Sequence, residues 1–214
     1  MLIQYWVENY KSFYDRAEFH MQPAPRLQQL SYSVQNVKAG RRKIRGICSS
    51  VIYGPNAAGK TSLLGALEVL KSIVLAGNIQ DKDQITANIS VNQLKYIPNI
   101  RPFLEGKHEV KPVTLGVEAV IDELRFTYEI SFQCENLVDA TIERKIVSES
   151  LSLNGKEIFS RKGKKVQIMN PVPWAYRNTK SKLKELSSLS LQTEPTELFL
   201  TGNFKAFYSN KLTQ

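Results

Sequence analysis

The stretch Gly54-Pro55-Asn56-Ala57-Ala58-Gly59-Lys60-Thr61 decides the fold, because it matches the pattern G-x-x-x-x-G-K-[ST] at every position. In this pattern, backbone N–H groups of the loop and of the following helix point inward and surround phosphate oxygens. Glycine at the first and sixth positions allows backbone angles and a close approach that a side chain would block. The sequence therefore predicts a phosphate-binding loop (P-loop).

The residues on either side of this loop support the interpretation. The run Ile47-Cys48-Ser49-Ser50-Val51-Ile52-Tyr53 is short and mostly apolar, which predicts a strand buried on both faces. After the loop, a helix is predicted from Thr61 to Leu75, and Gly77 is well placed to end it. A chance glycine-rich turn before a helix is the alternative, and the flanking elements argue against it. The apolar stripe of the helix is predicted to hold Leu63, Leu64, Leu67, Leu70 and Val74.

The loop predicts a site for a nucleoside triphosphate, and ATP with Mg²⁺ is the expected pair. Lys60 is expected to reach the β- and γ-phosphates and to act in catalysis. The Thr61 hydroxyl is expected to ligate Mg²⁺, and Ser62 to hold the α-phosphate side. The chain has no guanine-specifying N-K-x-D sequence, which favours ATP over GTP. The expected nucleotide-binding positions of the loop are Gly54, Pro55, Asn56, Ala57, Ala58, Gly59, Lys60, Thr61 and Ser62.

Apolar and polar residues alternate in much of the remaining chain, which predicts antiparallel strands. Strands are expected around residues 3–7, 17–21, 115–121, 124–132 and 141–153. Asn154-Gly155 is a strong signal for a hairpin turn, and a polar loop is expected after Pro25. The fold class is therefore α/β: a P-loop NTPase with an antiparallel β-rich lobe.

The run Val120-Ile121-Asp122-Glu123 has two interpretations. It resembles a Walker B strand, whose Asp would hold Mg²⁺ and whose Glu would activate water. Such a strand lies inside a parallel sheet and is apolar on both faces, whereas this one alternates and contains Glu118. A hairpin turn at Asp122-Glu123 is favoured. His20 and His108 are isolated and are interpreted as structural or solvent-facing.

The net charge of +9 is concentrated in three clusters. A basic surface of this kind can meet nucleic-acid phosphates, but solvated loops or a face for an acidic partner are the favoured alternative. No apolar stretch is long enough to span a bilayer, and the N-terminus lacks the features of a signal peptide. We therefore expect a cytoplasmic protein without a membrane partner. The clusters are residues 41–45, 161–165 and 180–184.

Two segments carry a resemblance to a known family. They are Val7-Glu8-Asn9-Tyr10-Lys11-Ser12-Phe13 and the run from Ile52 through the P-loop to Leu67. With the later hairpins, they resemble the N-terminal part of an ABC-type ATPase head of the RecF, SMC and OLD-nuclease group. The closest similarity in style is to ABC-like AAA-family ATPases of bacterial anti-phage systems, including the ATPase subunits of Septu-type and retron-associated modules.

The resemblance implies further site residues. Lys11 and Ser12 would lie near the phosphates, and Gln192 would be the glutamine that contacts the metal. Many relatives carry glycine where Ala57 stands, so the loop angles are expected to differ there. The signature motif, Walker B, D-loop and switch histidine of the family were not found in the sequence. They are expected beyond Gln214, so the chain is interpreted as an incomplete N-terminal portion of such a head.

The resemblance also implies an organisation and a set of partners. Residues 1–77 would form the nucleotide-binding core, residues 78–170 the antiparallel lobe, and residues 171–214 the start of a helical insertion. Two heads would form a homodimer around ATP and control a nuclease or toxin effector, or engagement of DNA. Two alternatives stay open: a nucleotide-binding switch or adaptor without turnover, and a compact NTPase that uses Asp122-Glu123 as Walker B.

Overall fold

The computed structural model describes residues 1–24, 31–79, 111–133, 144–169 and 193–204. This part of the chain contains nine strands and one long helix. The helix is α1 (Lys60–Ala76), and a single π-helical turn spans Leu200–Phe204. The strands are β1 (Leu2–Glu8), β2 (Ala17–His20), β3 (Val34–Ala39), β4 (Arg42–Ile47), β5 (Val113–Ile121), β6 (Leu124–Gln133), β7 (Lys145–Leu153), β8 (Lys156–Lys162) and β9 (Lys165–Ile168).

Seven of these strands form one antiparallel sheet in the order β2-β1-β5-β6-β7-β8-β9. The predicted alternation is confirmed for β1, β5 and β6, and Asn154-Gly155 turns the chain between β7 and β8 with both φ angles positive. The sheet takes strands from both sides of residue 77, since β1 pairs with β5. The proposed division into residues 1–77, 78–170 and 171–214 stays a prediction.

Asp122-Glu123 is the two-residue turn between β5 and β6, as predicted. Asp122 has φ 49 and Glu123 has φ 63, and two positive φ angles are what a type I′ hairpin turn requires. Glu118 is buried in β5 and accepts a hydrogen bond from Arg125 Nε at 2.6 Å. An antiparallel, charge-bearing strand of this kind is not a Walker B strand, and that interpretation is wrong.

Helix α1 packs on one face of the sheet and ends where the sequence predicts. Gly77 has φ 73 and donates its N–H to the Ile73 carbonyl at 2.9 Å, which closes the helix. The predicted apolar stripe is only partly correct, because Leu64 is 55% exposed. The fully buried side chains of the helix are Ala66, Val69, Leu70 and Ile73, spaced at the intervals of a single helical face.

The strand predicted over residues 47–53 does not form. β4 ends at Ile47, and residues 48–53 lack regular structure, with Val51 84% and Tyr53 91% exposed. The physical reason is the absence of neighbours: a parallel strand exists only through hydrogen bonds to strands beside it. The strands of the described residues pair antiparallel and leave this segment outside both sheets.

The hairpin of β3 and β4 occupies the region where a polar loop was expected, so that prediction is wrong. Gly40, with φ 58, is the first residue of its two-residue loop. Ala39, Val37 and Ile44 pack on Ile3 and Val120 of the main sheet. The basic run of residues 41–45 therefore belongs largely to a strand.

Residues 193–204 contact β7, β8 and the end of α1, and they are anchored by a buried charge pair. Arg161 is 1% exposed, and its guanidinium donates to the carbonyls of Gly163 at 2.7 Å and Glu197 at 2.6 Å. Glu149 is equally buried and lies 3.8 Å from Arg161. Arg161 is thus part of the core and must be removed from the predicted basic surface of residues 161–165.

Candidate nucleotide-binding site

The loop of residues 54–59 leads into α1 through left-handed backbone angles. Gly59 precedes the helix with φ 85 and ψ 5, and its carbonyl accepts the N–H of Leu63 at 2.9 Å. Ala57 also has a positive φ of 64. The αL conformation costs a non-glycine residue about 1–2 kcal/mol. The resemblance implies glycine at this position in many relatives, and the positive φ of Ala57 is an angle that favours glycine.

Lys60 folds back over its own loop. Its ammonium nitrogen donates to the carbonyl of Gly54 at 2.8 Å and to the carbonyl of Pro55 at 2.6 Å. These bonds hold the charge next to the loop backbone, where a phosphate would lie if the loop binds one. A phosphate oxygen could replace the two carbonyls as the partner of Lys60, because a charge-assisted contact to an anion is stronger than one to a neutral carbonyl.

The N-terminus of α1 adds positive potential to the same place. The first N–H groups of a helix lack partners within the helix, and a 17-residue helix carries a partial positive charge at that end. No acidic residue lies in the first turn of α1, and no side chain caps it. This end of the helix is therefore left for an anion from outside it.

The turn of residues 10–13 packs directly against the loop. Tyr10 and Phe13 exchange two backbone hydrogen bonds, of 2.8 and 2.9 Å. The Ser12 and Ser62 hydroxyl oxygens lie 3.1 Å apart, within hydrogen-bond distance. A Cβ atom on Gly59 would lie 3.1 Å from the Phe13 ring and 3.4 Å from Ser12 Cβ. The structure thus brings Ser12 of the predicted pair next to the loop and the first turn of α1.

Lys11 occupies a strained and partly desolvated position in this turn. Its φ is 47, and its ammonium lies 5.3 Å from the centre of the Tyr10 ring. Burial lowers the pKa of Lys11 below its usual value, because desolvation penalises the charged form. An anion bound beside it would have the opposite effect on the pKa. Phe13 belongs to the N-terminal motif, and its ring lies so close to Gly59 that a Cβ there would be 3.1 Å away, a contact that the sequence does not predict.

The structure describes one of the two residues that were predicted to bind metal. Thr61 is exposed in the first turn of α1, next to Lys60, while Gln192 lies outside the described residues. Within the described ranges, no group of three or more His, Cys, Asp or Glu side chains could hold a metal ion. A lone hydroxyl fits Mg²⁺ that arrives with a nucleotide, since Mg²⁺ keeps several waters and takes other ligands from phosphates.

The fold and the loop are consistent with a P-loop domain of the NTPase type. The comparison with protein families agrees: residues 49–201 match the family described as "AAA domain, putative AbiEii toxin, Type IV TA system". The match covers more than half of the chain, and the chain belongs to this family. Membership supports nucleotide binding and ATPase activity. No curated protein matches the chain. In the described part, no helix is long and apolar enough to cross a membrane.

Proposed function

We propose that this chain binds ATP with Mg²⁺ through residues 54–62 and hydrolyses it as an ABC-type ATPase head. One observation carries the proposal: the Lys60 ammonium rests on the loop carbonyls beside a helix N-terminus without an acidic residue or a side-chain cap. Two sources of positive potential meet there: the ammonium, and the helix dipole, whose partial positive charge resides on the N–H groups of the first turn. Such a site suits the triphosphate of a nucleotide.

The chemistry assigned to these residues is positioning and charge stabilisation, on which phosphoryl transfer chiefly depends. Lys60 would exchange its two carbonyl partners for β- and γ-phosphate oxygens. The Thr61 hydroxyl would hold Mg²⁺, which neutralises charge on the phosphates when bound. Ser12 and Ser62 would align the turn of residues 10–13 with the α-phosphate side. Water would then attack the γ-phosphorus in line with the leaving oxygen.

The wider function that we propose is control of an effector. A pair of ABC-type heads would enclose ATP and regulate a nuclease or toxin, or engagement of DNA, in defence against phage. Two things support this proposal. The N-terminal motif packs on the P-loop, as expected from the resemblance to the RecF, SMC and OLD-nuclease group, and the description of the matched family includes a toxin.

Calorimetry of ATP binding in the presence of Mg²⁺ tests the central step. The variant Lys60→Ala should bind ATP at least tenfold more weakly, because it removes a charge-assisted contact worth about 1.5–3 kcal/mol. Lys71→Ala is the matched control: it removes an exposed lysine from the same helix. Equal affinity of the Lys60 variant and wild type would contradict the assignment of the loop.

A nucleotide-binding switch without turnover is the second candidate. It is favoured by the hairpin turn at Asp122-Glu123, which removes the only water-activating pair that the sequence suggested. Steady-state release of phosphate from ATP separates the two. Turnover that disappears in Lys60→Ala supports the ATPase, while tight binding without turnover supports the switch.

A further inference from the structure

We propose that the β3–β4 hairpin is a contact surface for the phosphate backbone of duplex DNA. The proposal is independent of nucleotide binding. Residues 34–47, which make up the hairpin, contain five cationic residues and no acidic one. The hairpin is a sheet of its own, outside the seven-stranded sheet. Its five cations are Lys38, Arg41, Arg42, Lys43 and Arg45.

The two faces of the hairpin differ in character because side chains alternate along each strand. The inner face packs against the main sheet through Ala39 and through Val37, which lies opposite Ile44. The outer face carries Lys38 opposite Lys43 and Asn36 opposite Arg45. These four residues are exposed, and so are Arg41 and Arg42 at the turn. Lys38, Lys43 and Arg45 therefore lie on the face directed away from the main sheet, while Arg42 lies opposite Ala39 and is exposed at the end of the hairpin.

The arrangement of the outer face is unfavourable for the hairpin by itself. Like charges directly opposite each other on paired strands are destabilising, and Lys38 and Lys43 form such a pair. Lys38 also meets Glu123 at 3.5 Å, but both side chains are more than 60% exposed, and exposed pairs contribute little. An anionic partner that bridges the two strands would relieve this repulsion.

The hairpin is also held rigidly, as a docking surface requires. The Gly40 N–H donates to the Glu123 carbonyl at 2.9 Å, and the Ile47 N–H donates to the Met21 carbonyl at 2.8 Å. Gly46 lies under the Met1 side chain, so close that a Cβ there would be 2.5 Å from the sulfur. A fixed two-stranded ribbon with cations on its outer face matches duplex DNA, whose major groove admits such a ribbon.

The test measures binding of a labelled DNA duplex of arbitrary sequence to the full chain, over a range of salt concentrations and without nucleotide. The variant Lys38→Gln/Arg41→Gln/Lys43→Gln should reduce the slope of log affinity against log salt by about 2.7, because each lost phosphate contact contributes about 0.9. At about 0.1 M salt the affinity should fall on the order of a hundredfold.

Two controls separate a specific surface from overall charge. Lys162→Gln/Lys164→Gln/Lys165→Gln removes the same number of exposed cations at the β8–β9 end of the sheet and should leave the slope nearly unchanged. Lys38→Arg/Arg41→Lys/Lys43→Arg keeps the charge and should keep the binding. If the substitutions at Lys162, Lys164 and Lys165 reduce DNA binding as much as those in the hairpin, the proposal is wrong. It is also wrong if the wild-type protein does not bind DNA at low salt, which would leave an acidic protein as the partner.

Discussion

At the scale of single residues, the site depends on backbone angles that most side chains resist. Gly59 has φ 85 and lies under Phe13 and Ser12, so it combines a left-handed conformation with a close contact. Ala57 adopts φ 64 without being glycine. A loop that retains such angles is held by its surroundings, and here these include the turn of residues 10–13.

Gly59→Ala should weaken binding of ATP, because the added methyl group would force Phe13 or the loop to move. Gly155→Ala is the matched control: Gly155 also has a positive φ of 78, but a Cβ there meets nothing within 4 Å. Both variants should lose about 1–2 kcal/mol of stability from the αL strain. Calorimetric titration with ATP should show a loss only for Gly59→Ala, and equal affinities would show that the contact with Phe13 is unimportant.

At the scale of elements, local signals were sufficient for much of the prediction. Helix α1, the turn at Asp122-Glu123 and the turn at Asn154-Gly155 were predicted because spacing and turn residues act within a few positions. The prediction of a strand over residues 47–53 was wrong because a parallel strand depends on distant neighbours that no local pattern reveals. The hairpin of β3 and β4 was missed because its cations concealed the alternation of Val37, Ala39 and Ile44.

Prediction of the nucleotide-binding site has the same limit, because local patterns do not reveal distant neighbours. Residues 54–62 could be predicted because the motif is contiguous, and the approach of Ser12 to Ser62 could be expected only through the family resemblance. Arg161 misled the prediction: by sequence it belongs to a basic run, yet its side chain is buried. Burial of a charge depends on partners such as Glu149 and the Glu197 carbonyl, which lie 12 and 36 residues away.

Arg161→Met should destabilise the protein strongly, by about 3–5 kcal/mol, because it leaves Glu149 buried without its cation. It also removes the hydrogen bonds to the carbonyls of Gly163, Glu194 and Glu197. The neighbouring Lys162→Met is the control, since Lys162 is exposed and surface changes stay within about 0.5 kcal/mol. Unfolding in urea measures the free energy of unfolding of both variants. Similar transition midpoints for Arg161→Met and Lys162→Met would show that Arg161 does not anchor residues 193–204.

At the scale of the whole molecule, Glu149 joins the parts of the core. Its carboxylate, on β7, accepts the Tyr128 hydroxyl at 3.0 Å and the N–H groups of Phe199 at 2.8 Å and Leu200 at 2.9 Å. The adjoining Leu198 N–H in turn donates to the Gly77 carbonyl at 2.9 Å, at the end of α1. This carboxylate therefore links the sheet, residues 193–204 and the end of α1 through one series of hydrogen bonds.

This coupling predicts a pH dependence of global stability. Burial raises the pKa of Glu149 above its ordinary value, although the hydrogen bonds and Arg161 act in the opposite direction. Above the unfolded pKa of about 4.3, the folded protein therefore binds more protons at this site than the unfolded chain. The free energy of unfolding contributed by Glu149 is then fully present below that pKa, and it falls as the pH rises through the folded pKa.

Glu149→Gln removes this titration, so the stability of wild type relative to the variant should decrease with rising pH. The slope is at most about 1.4 kcal/mol per pH unit, the value for one proton. The amide also loses a backbone hydrogen bond, but that cost is independent of pH and shifts the curves without tilting them. Urea unfolding at a series of pH values above about 4.3 measures the difference, and Glu68→Gln serves as the control for an exposed carboxylate of α1. A difference that grows with pH would show that the hydrogen bonds from Phe199 and Leu200, together with Arg161, outweigh burial and stabilise the charged carboxylate.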